Sequence, residues 1–406
     1  MMVRGESDRE APPGWHYDDD TGALMRDVIH RMGRRCRNWD YCGKGVYLIT
    51  ITLADRRSRA LGRLCHDNAR GAFVAMSKLG AQIEALMWRM PEFSPEIEVL
   101  GVMVMPDHIH WVLRVARRLP PKKPLGIALR GFKGGATRLY WDGLGFSAEA
   151  QRAGGFSAEV RAVAPGLKSP GPLFAEGYVD TILFDDKAVA SALGYLADNP
   201  RRLWEKQAHP ELFTVLRDLP VDLGCGFTAH FAAIGNHHLL KAHSILQVQC
   251  SRRFFAYARD AAGKLLKDAP PRLETDEFRE STEALLEEAA HGAVLVSPCI
   301  SEGEREIARR AFAAGRRVIT LANKGFPPLY KPGGKLFDAC AAGSLLMLAP
   351  INWPYLPGEK KMTREDACAL NRISQLIAGP GAVEIMYTGV RPENVDLIAH
   401  DEVDAA

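Results

Sequence analysis

Met103-Val-Met-Pro-Asp-His108-Ile-His110-Trp-Val-Leu-Arg-Val115 is the stretch whose reading decides the fold. Its apolar, partly β-branched residues are what a strand with a buried face requires. Alternate side chains of a strand point to opposite faces, so His108 and His110 project from the same one. Two neighbouring imidazoles are a natural pair of ligands for a divalent cation. On spacing alone the plainer reading is favoured, two satisfied surface histidines on an edge strand. The rest of the chain shifts that balance.

A length of 406 residues predicts two domains, with room for a third. Apolar residues at 47% and charged residues at 25% fit an ordinary globular protein. The longest apolar run, around Ala341–Pro350, has the size of a core element, so no membrane span or membrane partner is expected. The first ten residues are mostly polar and hold no secretory signal, which predicts a cytoplasmic protein. Eight cysteines are scattered without a Cys-x-x-Cys, as expected of free thiols in a reducing compartment. Charge is distributed unevenly. Residues 31–140 carry 20 lysines and arginines against 8 acidic residues, whereas residues 261–406 carry 17 against 21. The basic block holds the histidine pair, and its excess charge points to a polyanionic partner.

Residues 1–43 are rich in charge, Gly, Pro and Asp, and are expected to be a poorly ordered lead-in. Val46–Thr52 reads as a strand. Apolar residues spaced three and four apart predict one amphipathic helix from Ala60 to about Met90. Two strands, Ile97–Met105 and His108–Val115, are expected to flank a turn at Pro106-Asp107. Ile127–Trp141 should be a helix bearing Arg130, Lys133 and Arg138. Gly145-Phe-Ser-Ala-Glu149 and Gly155-Phe-Ser-Ala-Glu159 repeat within 142–171, which reads as an inserted surface loop. Leu173–Phe184 is strand-like. Asp185 and Asp186 supply N-cap chemistry for a helix from Lys187 to Asn199, which Pro200 should end or bend. Beyond about 261, short apolar strands at Gly292–Ser297, Arg317–Leu321 and Ser344–Ala349 alternate with helices. That order predicts βαβ units and a parallel sheet.

Tyr195 and Asn199 lie four apart in the expected helix, hence on one face. A tyrosine hydroxyl can attack a phosphodiester when a metal stabilises the developing charge, and an amide oxygen can complete a site begun by two histidines. Taken singly, they read as a core tyrosine and a helix-terminal asparagine. In combination with the His-hydrophobe-His strand and the basic surroundings, they form one pattern. Met105-Pro-Asp-His108-Ile-His110, Phe132-Lys133, Gly177-Tyr-Val-Asp180 and Tyr195-Leu-Ala-Asp-Asn199-Pro-Arg201-Arg202 occur in a recognisable order over residues 44–260. The segment resembles the HUH single-strand DNA endonucleases and, among them, the single-tyrosine transposases of the REP-associated and insertion-sequence-200-like kind.

That resemblance implies an α+β ferredoxin-like nuclease domain, an antiparallel sheet with helices, over 44–260. It implies that His108, His110 and Asn199 hold Mg²⁺ or Mn²⁺. Tyr195 would nick single-stranded or hairpin DNA through a 5′-phosphotyrosine link, with Arg130, Lys133, Arg138, Arg201 and Arg202 on the DNA. The active site could belong to one chain or to a homodimer. Residues 261–400 look somewhat like a smaller α/β Rossmann-like domain of the DNA-processing-protein A or lysine-decarboxylase-like sort. The turn Ser297-Pro-Cys-Ile-Ser301 at a helix start is there a candidate nucleotide site, and Asn323-Lys-Gly325 follows the next strand. Two further readings stay open: a domesticated hairpin-DNA-binding regulator without transposition, and a nucleotide-sensing module fused to an inert DNA-binding domain.

Overall fold

The computed structural model of the protein describes residues 15–17, 24–26, 39–146 and 171–379, apart from positions 122, 225, 268, 328–329 and 356–361. Most of the expected lead-in and inserted loop, and the chain beyond 379, lie outside these residues. Contacts divide the chain into two compact units, with the division at Trp204 and Glu205.

In the first unit a short ribbon pairs β1 (Trp15–Tyr17) with β2 (Leu24–Arg26). The main sheet has four antiparallel strands, β3 (Gly45–Thr52), β6 (Ile97–Val104), β7 (His108–Val115) and β8 (Val179–Leu183), in the order β6-β7-β3-β8. The order follows from two interleaved β-α-β crossovers. One passes from β3 to β6 through α1 (Lys78–Trp88) and the one-turn helix α2 (Met90–Phe93). The other passes from β7 to β8 through α3 (Leu125–Gly143). Ile109, Trp111, Leu113 and Val115 of β7 join Tyr47, Ile49 and Ile51 of β3 in a core covered by Ile83 and Met87 of α1 and Leu129 and Phe132 of α3. Each such large apolar side chain contributes about 1.5–3 kcal/mol relative to exposure. On the opposite face Val112, Val46 and Leu48 pack against Ala192, Leu193 and Leu196 of α4 (Asp186–Ala208).

Two expectations fail here for local reasons. The helix expected from 60 to 90 begins only at Lys78. Before it stands a hairpin, β4 (Gly62–Asp67) and β5 (Gly71–Met76), inserted between β3 and α1. Asp67 Oδ1 accepts from Ala69 N and Arg70 N, and Gly71 takes φ +73°, which is turn chemistry that helical spacing alone did not weigh. Helix α4 runs on through Pro200 to Ala208, so of the end or bend expected at the proline the end does not occur. In the turn where the proline lacks a donor, Asn199 Nδ2 donates to Tyr195 O at 3.3 Å, and Arg201 clasps Asp198 with two hydrogen bonds. The strand expected over 173–184 is shorter, Val179–Leu183, preceded by a single bridge from Phe174 to Leu53.

The second unit holds a six-stranded mixed sheet in the order β11-β16-β17-β18-β10-β9. The strands β11 (Ile245–Gln247), β16 (Val294–Ser297), β17 (Val318–Leu321) and β18 (Leu345–Pro350) are parallel, as expected of βαβ units. The hairpin β9 (Leu216–Asp222) and β10 (Thr228–Gly235) adds two antiparallel strands beside β18. Two small ribbons pair β12 (Phe255–Ala256) with β15 (Leu273–Glu274) and β13 (Ala258–Arg259) with β14 (Leu265–Leu266). The helices are α5 (Pro210–Phe213), α6 (Asp276–Ala290), α7 (Glu302–Ala313), α8 (Lys335–Ala341) and α9 (Arg364–Ala378). The boundary expected at 260 therefore falls inside this unit, because β9, β10 and β11 are hydrogen-bonded into its sheet. Among the described residues no helix is long and apolar enough to cross a membrane.

The seam between hairpin and helix is tight. Ser77 caps α1, accepting from Gly80 N and donating to Ala60 O, and a Cβ on Gly80 would lie 2.0 Å from Leu61 O. Gly80→Ala should lower the free energy of unfolding by about 1–3 kcal/mol through this backbone clash. Gly134→Ala, on the exposed face of α3 with nothing within 4 Å, should raise it by about 0.5–1 kcal/mol. Urea unfolding of the two variants beside the native sequence checks both signs.

Candidate active site

Strand β7 is central in its sheet, and its register sets the site. Thr50 of β3 stands opposite His110, and Thr52 stands opposite His108. His110 is 5% exposed, so its ring needs internal partners. Its Nδ1 lies 2.9 Å from Thr50 Oγ1. His108 Nδ1 lies 2.7 Å from Asp107 Oδ1. A carboxylate can only accept, so His108 Nδ1 donates, and in the neutral ring Nε2 carries the lone pair. That Nε2 faces His110 Nε2 at 3.1 Å. Asp107 is held in turn by Arg56, whose Nε donates at 2.9 Å. Burial pushes the Asp107 carboxyl up, but the hydrogen bond and charge of His108, then those of Arg56, outweigh it and hold the group at about 2.

The tyrosine comes from the helix that covers this face. Asp185 Oδ1 accepts from Ala188 N at 2.7 Å and starts α4 where expected. One face of α4 buries Ala192, Leu196 and Asn199. Tyr195 lies at the margin of that face, 38% exposed, with its ring centroid 5.4 Å from that of His110. The Arg202 guanidinium sits over the Tyr195 ring at 5.8 Å. His108, His110, Tyr195 and Arg202 are therefore brought together. Asn199 is buried one turn beyond Tyr195, and its Nδ2 is engaged by the Tyr195 carbonyl. Arg201 is tied to Asp198 at 2.6 and 2.9 Å.

The three basic residues expected on α3 are placed differently. Lys133 donates to Ala175 O at 2.5 Å and Gly177 O at 3.2 Å, so its ammonium ties α3 to the segment leading into β8. Burial pushes its pKa down. Arg130 and Arg138 are exposed on the helix layer that covers the opposite sheet face from the histidines. Asp107, Arg56 and Thr50 belong to the site and were not singled out from sequence. Asp107 was signalled by its place directly before His108. Thr50 is identified only by strand register.

The donor set fits a cation. Two Nε2 atoms held by Nδ1 partners, as His108 is by Asp107, form the usual orientation of imidazole ligands. Their 3.1 Å separation is about that of two atoms sharing one ion at 2.0–2.2 Å. Among the described residues no group of three His, Cys, Asp or Glu side chains is placed to hold a metal ion, so remaining positions would fall to an amide, water or substrate. Imidazole nitrogen suits Mn²⁺ or Zn²⁺ better than the oxygen-preferring Mg²⁺.

The nucleotide site expected at the start of α7 is occupied by the protein itself. Ser301 and Glu304 form a capping box, and Glu304 Oε2 accepts from Ile300 N at 2.7 Å and from Ser301 N. Its other oxygen accepts from Cys250 N. Burial pushes this carboxyl up, and these backbone bonds oppose the rise. The N–H groups that would cradle a phosphate there already serve a carboxylate.

No family model matches the sequence. An uncharacterised protein of Haemophilus influenzae strain Rd is 24% identical over 183 residues, 44% of this chain and 92% of that protein. Among solved structures, a REP-associated tyrosine transposase bound to a REP hairpin is similar over 42% of this chain and 74% of its own, with 16% identity and a TM-score of 0.26. A protein of Deinococcus radiodurans R1 assigned provisionally as a transposase is similar over 41% of this chain and 97% of its own, with 14% identity and a TM-score of 0.23.

Asp107 gives the site a stability signature. Its folded value of about 2 lies below its ordinary 3.8, so the ionised carboxylate stabilises the fold above 3.8, and that stability is lost as the pH falls through about 2. Asp107→Asn should be less stable than the native sequence near neutral pH, by on the order of 2 kcal/mol at most. The gap should close on acidification from about 4 to about 2. Urea unfolding at stepped pH measures it, and a gap independent of pH contradicts the role given to Asp107.

Proposed function

We propose that this chain is a metal-dependent tyrosine transposase of the HUH kind that nicks and rejoins single-stranded DNA at hairpin-forming ends. One observation carries the reading: the Tyr195 ring packs against His110 on the sheet face where the Nε2 atoms of His108 and His110 converge. The strand order β8-β3-β7-β6, with its two crossovers, is that of a ferredoxin-like sheet, as the proposal requires.

A bound Mg²⁺ or Mn²⁺ would act as a Lewis acid on the phosphoryl oxygens, held by His108 and His110 with the Asn199 amide oxygen as candidate third ligand. Tyr195 Oη forms a bond to phosphorus while the bond from phosphorus to the 3′ oxygen breaks. The phenolic proton ends on that departing oxygen, which leaves a 3′-hydroxyl. One phosphodiester replaces another, so no nucleotide hydrolysis is needed. A 3′-hydroxyl attacking the phosphotyrosine runs the step in reverse and joins strands. Arg202, over the Tyr195 ring and 3.7 Å from Asp198, would bring positive charge to the phosphate under attack. Asp107 and Thr50 hold the two imidazoles in orientation through Nδ1.

Incubating the protein with hairpin oligonucleotides and Mn²⁺ or Mg²⁺ should give a denaturant-resistant protein–DNA adduct. Tyr195→Phe should abolish it entirely, and His108→Ala should reduce it at least a hundredfold. Hairpin binding without an adduct on any substrate would favour the regulator reading in its place.

A further inference from the structure

The hairpin inserted between β3 and α1 carries a concentration of charge that the proposed chemistry does not use. Residues 56–70 hold five arginines and one acidic residue, Asp67, whose Oδ1 is taken by the turn. Arg56, Arg57, Arg59, Arg63 and Arg70 are all exposed. Arg56 pairs with Asp107, but Arg57, Arg59 and Arg63 have no carboxylate partner among the described residues.

The placement of the hairpin is specific. Leu53 N donates to Asp107 O at 2.9 Å and Leu61 N to Pro106 O at 3.3 Å. Both ends of the intervening loop are thus held on the turn that precedes His108. Farther along, His66 stacks on Trp204 of α4, with ring centroids 4.7 Å apart and planes within 21°. One hairpin face is thereby fixed to the helix that carries Tyr195. Strand alternation puts Arg63, Cys65 and Phe73 on the other face, since Cys65 pairs with Phe73 and His66 with Ala72. The Arg70 guanidinium covers the Phe73 ring at 4.8 Å. A two-stranded ribbon outside the main sheet adds little stability by itself. Arginines around a half-buried aromatic ring form the combination that holds phosphates and stacks a base.

We infer that the β4–β5 hairpin and its leading loop form an arm that grips the backbone of a nucleic-acid single strand running over the His–Tyr site. Arg57, Arg63 and Arg70 pair with phosphates, and Phe73 stacks a base. The choice of a single strand rests on the function proposed above.

The test uses the full chain carrying Tyr195→Phe, so that covalent capture does not enter. Binding of a fluorescent oligothymidylate is followed by anisotropy over a range of NaCl concentrations. Adding R57Q, R63Q and R70Q together should weaken binding and make the slope of log affinity against log salt shallower by about 2, near 0.7 per lost phosphate contact. Phe73→Leu should weaken binding about fivefold or more with the slope unchanged, as loss of a stacked base does. Thermal melting of each variant verifies that it is folded. An unchanged slope in the folded triple variant overturns the arm, and tighter binding of a duplex than of the oligothymidylate overturns the choice of partner. Adduct formation by the native chain reports separately on the site. A slope change without any adduct removes the site reading and keeps the arm, whereas an adduct with an unchanged slope does the opposite.

Discussion

Strand β7 carries apolar side chains on both faces, so each face must be covered, and the two are covered in different ways. Ile109, Trp111, Leu113 and Val115 sink into the core beneath α1 and α3. Val112 meets α4 on the other face, beside the two histidines. Helix α4 comes down closely because β6 offers Gly101 there: a Cβ at that position would stand 2.6 Å from Leu193 Cδ2. Leu193 and Leu196 anchor the helix on the sheet, and Tyr195, between them in sequence, is turned to the margin against His110. The contact between the Tyr195 ring and the His110 imidazole is therefore a consequence of core packing on the same helix turn. Any change that lifts α4 from the sheet separates them.

The protons of the histidine pair are constrained with equal strength. Asp107 makes His108 donate from Nδ1, so in the neutral ring the Nε2 lone pair faces His110. His110 has two ways to respond. It can donate from Nε2 into that lone pair, with the Thr50 hydroxyl donating to its Nδ1. Alternatively it carries its proton on Nδ1 and gives it to Thr50, which leaves two lone pairs facing one another. The second state is repulsive unless a cation lies between them. A threonine hydroxyl can serve as donor or acceptor by rotating, so Thr50 permits both states without movement of the backbone. A valine, equally suited to β3, would permit neither.

How much of this was legible before the structure depends on whether the deciding interaction was local. The alternation of His108 and His110 is local, as is the one-turn spacing of Tyr195 and Asn199, and the structure places the two histidines and Tyr195 together. The hairpin over 62–76 was also local, yet its turn at Asp67–Gly71 was outweighed by apolar residues that fit a helical period by coincidence. The membership of β9, β10 and β11 in the second sheet was not legible, because it depends on β10 pairing with β18 roughly a hundred residues on and β11 with β16 about fifty residues on. The same applies to Thr50. Arg130 and Arg138 show a related limit: helical spacing gives which residues share a face, but not which side of the sheet the helix will cover.

The uneven charge of the chain can now be traced to particular places. Some of the basic residues in 31–140 are paired on the surface, Arg89 with Glu92, Arg114 with Glu98 and Arg118 with Asp40. Lys133 is spent on carbonyl oxygens. Arg57, Arg59, Arg63 and Arg70 form one exposed cluster on the β4–β5 hairpin and its leading loop, next to the turn that starts the histidine strand, whereas Arg130 and Arg138 are exposed on the helix layer of the other sheet face. In the second unit the one helix start that the sequence offered to a phosphate holds Glu304. This arginine cluster therefore stands beside the His–Tyr cluster, and the helix start in the second unit that the sequence offered to an anion is filled by a carboxylate of the protein. A long anion following the exposed arginines would pass along the hairpin toward Asp107 and Arg56, and from there the next polar groups inward are the two imidazoles.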